Sequence, residues 1–128
     1  MNNPIPKGTQ QQRSRVLIVE NSPVMRKIIT DVFTVLPRME VVGQARDGVE
    51  ALEEIHRLQP DLLVMDIQMP RMSGLEVLKR MPKDCCRVIM LSAHADPFYM
   101  EKCRELHADY FFDKLTDFHG FVEFVSTL

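Results

Sequence analysis

Two patterns of apolar residues alternate along this chain. Short runs at Val16 to Val19, Glu40 to Gln44, Leu62 to Met65, Arg87 to Leu91 and Tyr110 to Phe112 have the length and composition of strands. Leu62-Leu63-Val64-Met65 is apolar without a break, which suits a strand buried on both faces of a parallel sheet. Between the runs, apolar residues recur at helical spacing. Ser22-Pro23 supplies a cap with proline at the first helical position, and Val24, Ile28, Val32 and Val35 follow at intervals of three or four until Pro37. A second helix, Gly48 to Leu58, uses Val49, Leu52 and Ile55 and stops at Pro60. Three more are predicted over Gly74 to Met81, Pro97 to Leu106 and Asp117 to Ser126, the last with a buried stripe of Phe118, Phe121, Val122 and Val125. Five strand–helix units in succession predict an α/β fold, a five-stranded parallel sheet with helices on both faces and right-handed crossovers. No repeat or second domain interrupts residues 15–128. Residues 1–14, polar with Pro4, Pro6, Gly8 and Gln10-Gln11-Gln12, read as a flexible N-terminal tail.

Parallel strands bring the residues after each strand to one rim, where open α/β sheets bind their ligands. Glu20 and Asn21 follow the first strand, Asp66 the third, Ser92 the fourth and Lys114 the fifth. Two carboxylates, an amide, a hydroxyl and an ammonium are thus expected in one shallow cleft. Met69-Pro70 and Ser73-Gly74 turn the chain out of the third strand and leave the Asp66 carboxylate on the rim. Hard oxygen ligands of this kind suit Mg²⁺, which meets protein through one or two carboxylates and keeps several waters. A lysine beside them pairs with Asp66 at rest and neutralises phosphoryl oxygens afterwards.

Composition narrows the remaining classes. The chain has 128 residues, 45% of them hydrophobic and 27% charged, enough to fold as one soluble domain. A formal net charge of -2 gives no electrostatic case for nucleic acid. No apolar run approaches the about 18 residues that cross a bilayer, so no membrane association is expected. Neither an export signal nor an even cysteine framework is present, which points to the cytoplasm. Cys85, Cys86 and Cys103 have no zinc-site spacing and are expected to be small buried side chains.

Several segments together resemble the receiver domain of bacterial two-component response regulators, over about Arg15 to Leu128. They are Val16 to Pro23, Ala45 to Leu52, Val64 to Gly74, Leu91-Ser92-Ala93 and Phe112-Asp113-Lys114. The resemblance implies a flavodoxin-like sheet of order 2-1-3-4-5 and a regulator of the stand-alone chemotaxis type. It implies that Asp66 is the phosphoacceptor, taking a phosphoryl group from a phosphohistidine on a sensor kinase or histidine phosphotransfer protein. It also implies Mg²⁺ held by Glu20, Asn21, Asp66 and the Gln68 main-chain carbonyl, with Lys114 and Ser92 as catalytic partners of the phosphoryl group. Ser92 and Phe111 would form the conformational switch, Gln68 and His94 would tune the kinetics, and the fourth helix, fifth strand and fifth helix would present the output to a protein target. Such a protein is no enzyme beyond its own phosphotransfer and dephosphorylation. If the chain is complete, it acts by docking or by relaying phosphate onward.

Departures from the family pattern carry information too. The family places two acids after the first strand, whereas here Asn21 takes the second position, so Mg²⁺ is expected to bind weakly. The family follows its lysine with proline; here Leu115 follows Lys114, which puts the loop geometry and the reach of the lysine in question. These departures support an alternative, a degenerate receiver that binds proteins without phosphorylation. An aspartyl phosphohydrolase would need a second acid where Gln68 stands, and flavin binding would need a long phosphate-cradling loop after the first strand. His94 is expected to be a solvated imidazole, Phe98 and Tyr99 to pack, and the nine methionines to fill core gaps.

Overall fold

Apolar runs long enough for strands, punctuated by capped helices, give ten elements in the computed structural model, which describes residues 12–128. In chain order they are β1 (Ser14–Val19), α1 (Pro23–Thr34), β2 (Met39–Ala45), α2 (Gly48–Leu58), β3 (Leu62–Met65), α3 (Gly74–Arg80), β4 (Arg87–Ser92), α4 (Pro97–Glu105), β5 (Tyr110–Asp113) and α5 (Phe118–Ser126). All strand pairs are parallel and the sheet order is β2-β1-β3-β4-β5. This is the flavodoxin-like arrangement. The tail expected over residues 1–14 falls mainly outside the described residues. Its last member, Ser14, already belongs to β1, with its N–H donating to the Arg38 carbonyl at 2.8 Å.

Strand side chains alternate between two cores. Leu17, Val19, Leu63, Met65, Val88 and Met90 pack under α2, α3 and α4 with Ala51, Ile55, Val77 and Cys103. Val16, Ile18, Leu62, Val64, Ile89 and Leu91 face α1 and α5 with Ile29, Phe33, Phe121 and Val125. Burial on both faces explains why β3 is apolar throughout and why β1 and β4 are unbroken apolar runs over residues 16–19 and 88–91. Each such side chain contributes about 1.5–3 kcal/mol, so the three central strands dominate stability and hold the rim rigid. Among the described residues, no helix is long and apolar enough to cross a membrane.

Caps define the helix starts. The side-chain oxygens of Ser22, Asp47, Ser73 and Asp96 accept from the amides of Met25, Glu50, Glu76 and Tyr99. Proline opens α1 and α4.

Three packing expectations need correction. The stripe Val24, Ile28, Val32 and Val35 is not the buried face of α1: Val24 is 71% and Val35 78% exposed, and Ile28 is exposed as well. The helix buries Ile29 and Phe33, flanked by Met25, Val32 and Leu36. Two apolar stripes run along this helix, and the one carrying the larger Phe33, edge-on to Phe121, goes inward. Cys103 is buried and Cys86 half-buried, but Cys85 is exposed in the loop after α3, where the backbone has just turned through a left-handed Asp84. Phe98 is 61% exposed, lying outward on α4 beneath the Lys102 ammonium, while Tyr99 packs on the core. The stripe of α5 agrees with expectation, with Phe121 and Val125 buried and Phe118 and Val122 against them.

Candidate functional site

The rim at the carboxyl ends of β1, β3 and β5 carries a three-membered charged cluster. Lys114 Nζ donates to Glu20 Oε1 at 2.7 Å and to Asp66 Oδ2 at 2.9 Å. All three side chains are largely shielded, at 11% exposure for Lys114, 4% for Glu20 and 10% for Asp66. Backbone contacts hold the groups in place. The Glu20 N–H donates to the Ala45 carbonyl at 3.0 Å, and the Asp66 N–H to the Val19 carbonyl at 3.2 Å, so both acids leave their strands in register. Lys114 is aligned by its own N–H donating to the Ser92 carbonyl at 2.9 Å.

The remaining oxygens of the acids are also engaged. Asp66 Oδ1 accepts from the Ile67 N–H at 2.6 Å. Glu20 Oε2 accepts from the Ser22 N–H at 2.9 Å, and the Glu20 carbonyl accepts from the Arg26 guanidinium at 2.8 Å. The Glu20 side chain thus reaches both Lys114 and the Ser22 N–H at the cap of α1. Burial alone lowers the Lys114 pKa, but the two carboxylates outweigh it and leave the ammonium above its ordinary 10.5.

No proline is needed to bring Lys114 to the acids. Every peptide bond among the described residues is trans, Lys114–Leu115 included. Asp113 Oδ1 accepts from the Leu115 N–H at 2.8 Å and the Thr116 N–H at 3.1 Å, which tightens the turn after β5. Those amide bonds hold the Asp113 carboxyl below its ordinary range. Proline at position 115 would remove one of them.

The other sequence-predicted residues surround this cluster without joining it. Ser92 is completely buried, and its Oγ accepts from the His94 N–H at 3.0 Å rather than meeting the acids. His94 is exposed and lies edge-on to Tyr99. Asn21, next after Glu20, and Gln68, two residues after Asp66, are exposed. Phe111 is half-buried, packed on the α2–α4 core beside α4. Among the described residues, no three His, Cys, Asp or Glu side chains gather into a metal-ligating group. The oxygens that could hold a cation here are the carboxylates of Glu20 and Asp66, with the neutral oxygens of Asn21 and Gln68 next to them in the chain. These hard donors, two of them carboxylates, fit Mg²⁺.

One feature of the site has no counterpart in the sequence-based expectations. Arg71, in the loop after Asp66, donates to Asp47 through Nε at 3.1 Å and Nη2 at 3.2 Å. Burial pushes the Asp47 carboxyl up, but the Glu50 amide and Arg71 together pull it below its ordinary 3.8. Asp47-Gly48 before a helix is a legible cap; its second partner, 24 residues away, is not.

A doubly wound parallel sheet with a lysine-bridged acid pair on its rim defines a flavodoxin-like α/β domain whose polar site lies at the carboxyl ends of its strands. The chain belongs to the response regulator receiver domain family, whose model matches residues 16–126. The protein-glutamate methylesterase/protein-glutamine glutaminase of Pyrococcus abyssi is 45% identical over 83 residues, 64% of this chain but 23% of that protein. This chain therefore spans about a quarter of the length of such curated relatives. The response regulator domain of Thermotoga maritima CheB is 36% identical, with a TM-score of 0.78 over 89% of this chain and 91% of that one. A chain of the CheX-CheY-BeF3-Mg+2 complex from Borrelia burgdorferi is 29% identical, with a TM-score of 0.81 over 94% and 92%.

Proposed function

We propose that this receiver accepts a phosphoryl group on Asp66 from a phosphohistidine of a sensor kinase or histidine phosphotransfer protein. The observation that carries the reading is the Lys114 ammonium bonded to both Glu20 and Asp66. In the reaction, a carboxylate oxygen of Asp66 attacks phosphorus, the P–N bond breaks, and the imidazole nitrogen leaves with the electron pair and takes up a proton. Lys114 exchanges a carboxylate contact for a phosphoryl oxygen, so its charge is already in place when negative charge builds on the rim. Ser92 gives up the His94 N–H and turns its hydroxyl toward the phosphoryl group, and Phe111 follows into the vacated space. This repacking shifts a population between two arrangements and alters the α4–β5–α5 face that a protein target reads. Gln68 and His94, both exposed beside the site, govern how water reaches the acyl phosphate.

Mg²⁺ held by Glu20, Asn21, Asp66 and the Gln68 carbonyl would offset negative charge as the anions approach. Lys114 already satisfies one oxygen of each acid, and Asn21 adds no charge, so the affinity for the cation is low. Asn21→Asp is expected to tighten Mg²⁺ binding by about tenfold, as one added carboxylate at a part-solvated site contributes on the order of 1.4 kcal/mol. Titration calorimetry with Mg²⁺ checks this, and equal affinities would show that Asn21 is no ligand.

Labelled phosphoryl transfer from a panel of phosphorylated histidine kinases tests the function. Label is expected on the wild type and absent from Asp66→Ala; label retained by the variant would overturn the assignment. The neutral Asn21 favours one second reading, a receiver that binds proteins through the same fold without phosphorylation. That reading requires a wild type that stays unlabelled while folded. The domain's own chemistry is confined to gaining and losing the phosphoryl group, and the methylesterase activity of its longer relatives is not assigned to it.

A further inference from the structure

The loop between β3 and α3 is held from several sides. The Gly74 N–H donates to the Ile67 carbonyl at 2.7 Å, closing the loop at its base, and the Met72 N–H donates to the Pro70 carbonyl at 2.7 Å. Gly48, the first residue of α2, lies so close that a side chain there would overlap the Met72 carbonyl. Arg71 adopts a left-handed backbone with φ 66°. A non-glycine residue holds such a conformation only where its surroundings impose it. Here the Met72-to-Pro70 bond closes a tight turn around Arg71, and the paired bonds from its guanidinium to Asp47 tie that turn to the start of α2. Among residues 67–72, Arg71 is the one residue whose side chain hydrogen-bonds to another element. Its anchor is firm, because Asp47 Oδ1 also caps α2 through the Glu50 N–H at 2.9 Å. Gln68, three residues before Arg71, stands exposed on the same loop beside Asp66.

We infer that the Arg71–Asp47 pair latches the β3–α3 loop to α2 and thereby positions the Gln68 carbonyl for a divalent cation, making Arg71 a positioning residue for phosphoryl acceptance. The inference rests on the phosphoacceptor reading above. A site with two carboxylates depends more on its neutral oxygens than a site with three. A carbonyl fixed before the cation arrives contributes more than one that must be ordered on binding. Partners that orient metal ligands typically change affinity by about 10–100-fold. Arg71 is half-exposed and acts through the loop backbone, so the lower end of that range applies.

The test is titration of the full chain with Mg²⁺ alone, in wild type, Arg71→Ala, Asp47→Asn and the double variant. Asparagine caps a helix as well as aspartate does, so Asp47→Asn removes the ion pair and keeps α2 capped. Arg57→Ala, which breaks an exposed pair with Glu54 on α2, serves as the control. Each single variant is expected to bind Mg²⁺ about tenfold more weakly, and the double variant no more weakly than either, since both remove one interaction. Phosphoryl incorporation should recover at saturating Mg²⁺, which a general loss of folding would not allow. A wild type that binds Mg²⁺ with variants that match it would overturn the latch and leave the phosphoacceptor reading intact. Losses that multiply in the double variant would overturn it too, by showing that the two residues act separately. A wild type that binds no Mg²⁺ would overturn both.

Discussion

Lys114→Ala is expected to destabilise the domain by about 3 kcal/mol and to slow phosphoryl acceptance by at least 100-fold. The physical reason is the neighbourhood left behind. Glu20 and Asp66 are almost fully shielded, and the ammonium bridging them is 2.7 Å from one and 2.9 Å from the other. Removing it leaves two carboxylates facing each other with no counter-charge. Breaking a shielded pair in this way costs far more than losing a surface one, which contributes about 0–1 kcal/mol. Urea unfolding at pH 7 measures the loss. Asp66→Asn in the Lys114→Ala background should restore much of it, because one of the two facing charges is gone. A loss within the surface-pair range would mean that solvent already screens the cluster.

The same lysine sets a pH dependence. Its pKa is raised in the fold above the ordinary 10.5. The folded state therefore binds this proton more tightly, and the stabilisation is fully present below the unfolded pKa of about 10.4. It is lost as pH rises through the folded value. The stability difference between wild type and Lys114→Ala should be flat from pH 7 to about 10 and shrink above that. A difference that grew with alkaline pH would contradict the assignment.

Gly74→Ala is expected to cost about 3 kcal/mol and to impair phosphoryl acceptance beyond its effect on stability. The first residue of α3 sits directly on the loop base, where a Cβ would overlap the Asp66 carbonyl and lie 3.1 Å from Ile67 Cα. Both obstacles are backbone, so the strand end carrying Asp66 has to move. Gly43→Ala is the contrasting case. Its crowding is with the end of the Leu58 side chain at 2.6 Å, which can rotate away, so it should cost about 1 kcal/mol or less. Urea unfolding and phosphorylation rates of the two variants decide. Equal effects at positions 43 and 74 would remove the special role of the Gly74 contact.

Much of this was legible in the sequence, for definite physical reasons. The stretch of a strand that is buried on both faces must be apolar without a break, so β1, β3 and β4 announce themselves and their order of residues decides which side chains reach the rim. Parallel geometry then brings Glu20, Asp66 and Lys114 together although 94 residues separate the first from the last. What escaped depends on contacts rather than on periodicity. α1 carries two apolar stripes, and only packing under Phe121 selects the one with Phe33. Leu115 departs from the family pattern, yet Asp113 makes the turn with side-chain bonds that no spacing rule reports. Arg71 meets Asp47 from a left-handed backbone, a conformation that arginine itself does not favour.

Phosphoryl acceptance by Asp66 is the centre of the account, and intact mass reads it directly. The protein is incubated with a small acyl phosphate donor, with and without Mg²⁺, beside Asp66→Ala. A single phosphoryl adduct is expected that requires Mg²⁺ and is missing from the variant. A folded wild type that gains no adduct, while a control receiver in the same mixture does, would contradict it.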